Sequence, residues 1–76
     1  MQANQPIASG TRYRDLQATV FGQPQPEWIV EHVYVAAGIE HARLVSAANP
    51  GERKTLSLYT LRDQRRFKRV DGPTRD

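Results

Sequence analysis

Residues 42 to 58, Ala-Arg-Leu-Val-Ser-Ala-Ala-Asn-Pro-Gly-Glu-Arg-Lys-Thr-Leu-Ser-Leu, carry the reading that decides the fold. At the centre stands Asn49-Pro50-Gly51-Glu52. Proline pre-sets φ at the second position of a β-turn, and glycine accepts the positive φ that a type II turn needs at the third. On either side, Ala42-Arg43-Leu44 and Thr55-Leu56-Ser57-Leu58 alternate polar and apolar residues with a period of two, the signature of a strand with one face buried. The stretch therefore predicts a β-hairpin with Leu44, Leu56 and Leu58 on one buried face.

The same punctuation recurs outward. Gly22-Gln23-Pro24-Gln25-Pro26 and Ala37-Gly38 are further turn signals, separated by segments rich in Val, Ile, Leu, Tyr and Thr, a spacing that suits short strands better than helices. Thr11 to Phe21 supplies a first strand or pair of strands. Trp28 to Val35 is a strand in which both alternate sets, Trp28-Val30-His32-Tyr34 and Ile29-Glu31-Val33-Val35, are largely apolar. Such a strand is covered on both faces, or coils so that its two halves bury opposite faces. Leu61 to Arg65 has no turn glycine and suits one helical turn before a last strand at Phe67 to Val70. The expected core is Val20, Trp28, Val30, Val33, Leu44, Leu56, Leu58 and Phe67. Residues 1 to 10 are expected to be a flexible leader, with Ile7 their one sizeable hydrophobe, and residues 71 to 76 a flexible tail. Residues 11 to 70 form the single small domain that a 76-residue chain can hold.

Composition narrows function mainly by exclusion. There is no cysteine, so disulfides, thiolate metal sites and cysteine nucleophiles are all removed. His32 and His41, each preceded by glutamate, are the only histidines, and adjacent strand residues point to opposite faces, which argues against one metal ion held by each Glu-His pair. Ser9, Ser46 and Ser57 lack the Gly-x-Ser-x-Gly setting of an exposed nucleophile, and the five glycines form no phosphate loop. No cofactor, metal site or enzymatic activity is expected. The N-terminal residues do not read as a secretory signal, and no stretch approaches the length of a membrane helix; the expected location is the cytoplasm.

Five short strands with a single helical turn before the last resemble the layout of the SH3-like small β-barrels over Thr11 to Val70. That resemblance implies a mainly β, five-stranded barrel whose open face can carry ligand-binding aromatics. A second similarity, in the spacing of Trp28, Asn49-Pro50-Gly51, Tyr59 and Leu61, is to the plasmid-borne type II dihydrofolate reductases. Their pore motif Val-Gln-Ile-Tyr corresponds here to Leu56-Ser57-Leu58-Tyr59, which keeps the tyrosine and lacks the ligand-recognising glutamine.

The charge is unevenly spread. Residues 1 to 52 hold three cations and five carboxylates, a net of −2, whereas residues 53 to 70 hold seven cations against Asp63, a net of +6. Arginine outnumbers lysine nine to two over the whole chain, and the planar guanidinium fork suits phosphate and carboxylate better than an ammonium does. Arg53, Lys54, Arg62, Arg65, Arg66, Lys68 and Arg69 are thus candidate contacts to DNA or RNA, mostly at phosphates. Arg62, Arg65 and Arg66 are spaced for one helical face. Tyr59, out of phase with Leu56 and Leu58 and so expected to face outward, is a candidate base-stacking residue, with Tyr34 as a second. The alternative is a protein-interaction module, its basic face meeting an acidic protein partner or its exposed edge strand accepting a partner strand, which also offers a route to a homodimer.

Overall fold

The computed structural model describes residues 6–18, 22 and 24–70. The expected core position Val20, the strand residue Phe21 and the loop residue Gln23 lie outside the described residues, as do residues 1–5 and 71–76. The chain is mainly β: β1 (Arg12–Asp15), β2 (Glu27–Ala36), β3 (Ile39–Ser46), β4 (Arg53–Ser57), a single turn of helix α1 (Leu58–Leu61), and β5 (Phe67–Val70). All neighbouring strands are antiparallel, in one open sheet of order β4-β3-β2-β1-β5. The first four strands meander, and the last returns to lie beside β1. Among the described residues, no helix is long and apolar enough to cross a membrane.

The β3–β4 hairpin forms where the alternation places it, with Ala42 opposite Leu56 and Leu44 opposite Lys54. Its turn differs in type. The Glu52 N–H donates to the Asn49 carbonyl at 2.9 Å, yet Gly51 is not among the residues with positive φ, so the turn is not type II. The Asn49 side chain accepts the Gly51 N–H at 3.3 Å, an alternative closure available to asparagine that leaves glycine's left-handed freedom unused. The Ala37-Gly38 turn does use positive φ, at 54° and 77°, as a two-residue hairpin loop requires.

The ambiguous phase of β2 has a structural cause. Its pairing with β3 shifts register between Val30 and His32, leaving Glu31 as the extra residue of a β-bulge. Before the bulge, Trp28 and Val30 are buried and Val30 sits opposite Leu44; after it, Val33 packs against the core opposite Ala42. Because side chains alternate with a period of two, one inserted residue exchanges the buried and exposed sets. The two halves of the strand thus bury opposite alternate sets.

Helix α1 starts three residues earlier than the expected Leu61–Arg65 turn. Ser57 is its N-cap, with its hydroxyl accepting the Thr60 N–H at 3.1 Å. Leu58 and Leu61, one turn apart, are both buried. Leu58 therefore joins the core from a helix and not as a continuation of β4, and Leu56 is only partly buried.

The packed unit also extends upstream of Thr11. Ile7 is buried with Tyr13, Trp28, Val30, Ala42, Leu44, Leu58, Leu61 and Phe67, in contrast to the expectation of a leader with nothing docked. The backbone fixes it there. The Gly10 N–H donates to the Val30 carbonyl at 2.8 Å, and the Ser9 hydroxyl to the bulge carbonyl of Glu31 at 2.6 Å. The strand itself ends early, because the Asp15 carboxylate accepts the N–H groups of Gln17 and Ala18 at 3.1 and 3.2 Å and so offers the backbone a turn in place of a ladder.

Candidate functional site

The seven cations of residues 53 to 70 do not make one face. Arg53 and Lys54 are neighbours on β4, so their side chains leave opposite sides of the sheet. Lys54 turns inward, its Nζ 4.2 Å from the Trp28 ring centroid, 5.8 Å from that of Phe67 and 3.7 Å from Asp15 Oδ2. Arg53 lies on the other side, and its Nε donates to both carboxylate oxygens of Glu31, at 3.1 and 3.2 Å. That hydrogen bond is the main reason the Glu31 carboxyl is held below its usual range.

The same alternation separates Lys68 from Arg69 on β5. Arg69 stands opposite Tyr13, and its guanidinium donates to the Pro6 carbonyl at 3.3 Å. Burial pushes the Tyr13 phenol above its ordinary range, while the charges of Arg69 and Arg62 pull it the other way. These two guanidiniums thus lie within electrostatic reach of a buried phenol.

Arg62, Arg65 and Arg66 do not share a helical face, because α1 has ended before them. Arg62 is the C-cap, its N–H donating to the Leu58 carbonyl. The chain then turns about Asp63, whose carbonyl accepts the N–H groups of Arg66 and Phe67 at 2.9 and 3.0 Å. The Asp63 carboxylate takes the Arg65 N–H at 3.0 Å and its guanidinium Nε at 3.3 Å; the first of these is the larger cause of its lowered pKa. The Arg66 guanidinium lies 5.7 Å from the Phe67 ring centroid. All three arginines are nonetheless exposed.

Tyr59 is the outward residue of α1, 86% exposed between buried Leu58 and Leu61. Its exposure agrees with the expectation, though it arises from helical geometry and not from strand alternation. Tyr59 on α1, Arg62 at its C-cap, and Arg65 and Arg66 in the following turn are thus all exposed within one short stretch of chain.

Two basic residues missing from the sequence-based candidates join this segment through pairing. Arg14 stands opposite Lys68 on the outer face of β1 and β5, and Arg12 shares that face two residues away. Both bridge to Glu27, at 3.3 and 3.2 Å, so one carboxylate serves two guanidiniums there. The Arg12-x-Arg14 spacing was the available signal, masked by the negative net charge of the segment around it. A third cluster stands on β2 and β3, where Tyr34 stacks on His41 with ring centroids 5.6 Å apart and lies 5.5 Å from His32. The chain matches no protein-family model, no curated protein and no solved structure at significant similarity.

Proposed function

We propose that this chain is a nucleic-acid-binding module, without catalytic activity, acting in the cytoplasm. The observation that carries the reading is the α1 segment, where an 86% exposed tyrosine precedes three exposed arginines and the Asp63 carboxylate among them is already bonded to Arg65. An aromatic ring exposed to this degree gains little for the fold and is available to stack on a base, while guanidiniums engage phosphates. Arg12, Arg14 and Lys68 extend the positive field along β1 and β5. We further propose an SH3-like barrel. Its support is the return of β5 to β1 and the reach of Lys54 from edge strand β4 to Asp15 on β1 and Phe67 on β5.

Titration of the chain with single- and double-stranded oligonucleotides at two salt concentrations tests the reading. Saturable binding is expected to weaken steeply with salt, and the combined change of Arg62, Arg65 and Arg66 to Ala to flatten the log–log slope by about two to three units, each lost phosphate contact being worth about 0.7 to 0.9. Tyr59→Ala weakens binding without altering the slope. Absence of a saturable complex at low salt refutes the proposal and favours an acidic protein partner, or strand pairing at the β4 or β5 edge, in its place.

A further inference from the structure

The outer face of the β2–β3–β4 hairpins carries a second recognition surface, whose rings all come from β2 and β3. Beyond the Glu31 bulge, His32 and Tyr34 leave β2 on the side opposite Val33, which packs on the core. Across the ladder, His32 faces Arg43, Tyr34 faces His41, and Ala36 faces Ile39. On β4, Thr55 and Ser57 continue the rows of Arg43 and His41. The bulge is what assembles this row: without the phase change, His32 and Tyr34 would follow Trp28 and Val30 into the core.

Rings and charge coincide on this face. Tyr34 stands between two imidazoles, nearly parallel to His41 at 19° and tilted 41° to His32. His41 is oriented by its Nδ1, 2.9 Å from the Ile39 carbonyl. Arg43 is exposed and in no salt bridge among the described residues. The Glu31 carboxylate, which senses Arg43 and His32 as well as Arg53, is occupied by the Arg53 guanidinium. Beside the rings, Ile39 is 53% exposed. A ring row with a free guanidinium beside it complements a ligand with flat π-faces and a negative backbone.

We propose that the His32–Tyr34–His41 row with Arg43 binds single-stranded nucleic acid, its unpaired bases extending the ring stack and its phosphates meeting Arg43. Base-paired duplex is a poor ligand here, because its π-faces are already stacked. This inference goes beyond the α1 surface, although it shares with it the class of ligand.

The test uses the whole chain with a short oligothymidylate, the same length of duplex DNA, and inorganic polyphosphate as a polyanion without bases. The oligothymidylate is expected to move the ring-proton resonances of His32, Tyr34 and His41 upfield, whereas polyphosphate leaves them without ring-current shifts. Tyr34→Ala is expected to weaken oligothymidylate binding about tenfold, Tyr34→Phe to keep it within about twofold, and Arg43→Gln to reduce the salt dependence. Circular dichroism of each variant checks the fold. If Tyr34→Ala unfolds, the wild-type ring shifts and the Arg43→Gln titration decide alone. Oligothymidylate binding that is abolished by changing Arg62, Arg65 and Arg66 to Ala but unaltered in Tyr34→Ala, with still ring resonances, overturns this inference and leaves the α1 proposal standing. Tighter binding of the duplex than of the single strand also overturns it, and no saturable binding of either nucleic acid overturns both.

Discussion

The Lys54 ammonium stands 4.2 Å from the centre of the Trp28 ring, so a cation on the inward side of an edge strand lids the apolar core. Leu44 is its cross-strand partner and Asp15 its counter-ion. Its ammonium lies over the indole face and beside the Asp15 carboxylate, with the side chain only one-third exposed, an arrangement suited to a long amphipathic side chain. The Trp28 indole Nε1–H has no acceptor among the described residues; the cation meets the ring face and leaves that donor unpaired. Lys54→Ala should cost about 1 to 2 kcal/mol, losing both stem packing and the cation–π contact, whereas Lys54→Met, which keeps the stem, should cost under about 1 kcal/mol. Urea unfolding of the two variants measures the difference, and equal losses would show that charge alone matters. Because Lys54 is engaged in this lid, its replacement should change nucleic-acid affinity less than that of Arg62.

Ile7 anchors the upstream segment in the same core. Ile7→Ala should destabilise the domain by about 2 kcal/mol, near the lower end for a buried isoleucine because the neighbouring residues 6 and 8 are exposed. Deleting residues 1–9 should lower the thermal midpoint by several degrees, as scanning calorimetry would show. An unchanged midpoint would mean that the pocket around Tyr13 and Phe67 refills without Ile7.

Ala37 holds φ at 54° in the β2–β3 loop, a region costly for a residue with a Cβ and no local hydrogen-bonding group. Asparagine enters it more readily and is favoured at the first position of such loops. Ala37→Asn is therefore expected to stabilise the fold by up to about 1 kcal/mol, read as a rise in the urea midpoint at constant slope. A loss of stability would show that the loop adopts another turn in solution.

Acid should loosen the domain through Glu31 and Asp63. Both carboxyls titrate below their ordinary values in the folded chain, Glu31 chiefly because it accepts from Arg53 and Asp63 chiefly because it accepts the Arg65 N–H. A depressed folded pKa means that the stabilisation is fully present above the unfolded value, near 4, and is lost as the pH falls through the folded value. Glu31→Gln and Asp63→Asn should each be less stable than the parent at pH 7, with the gap closing on acidification below about pH 4. A gap that stays constant with pH would assign the loss to packing instead.

Much of the β layout was legible in the chain: the Asn49-Pro50-Gly51 turn, the alternation of Ala42 to Leu44 against Thr55 to Ser57, and Trp28, Val30, Leu44 and Phe67 as core. These are local signals, set by the preferences of Pro, Gly and Asn for particular dihedrals and by the two-residue period of a strand, and they need no knowledge of neighbours. The outward direction of Tyr59 was legible too. Only the tertiary structure decided which residues share a face. The Glu31 bulge reverses the phase of β2 and brings His32, Tyr34, His41 and Arg43 together. Pairing of β1 with β5 sets Arg14 beside Lys68, across more than fifty residues of chain. Alternation within β4 sends Arg53 and Lys54 to opposite sides. Net charge along a sequence carries no directional information, whereas register and pleat assign each side chain to one surface; for that reason the basic segment, continuous in the chain, is divided in space between a core lid, ion pairs and an open arginine surface beside Tyr59.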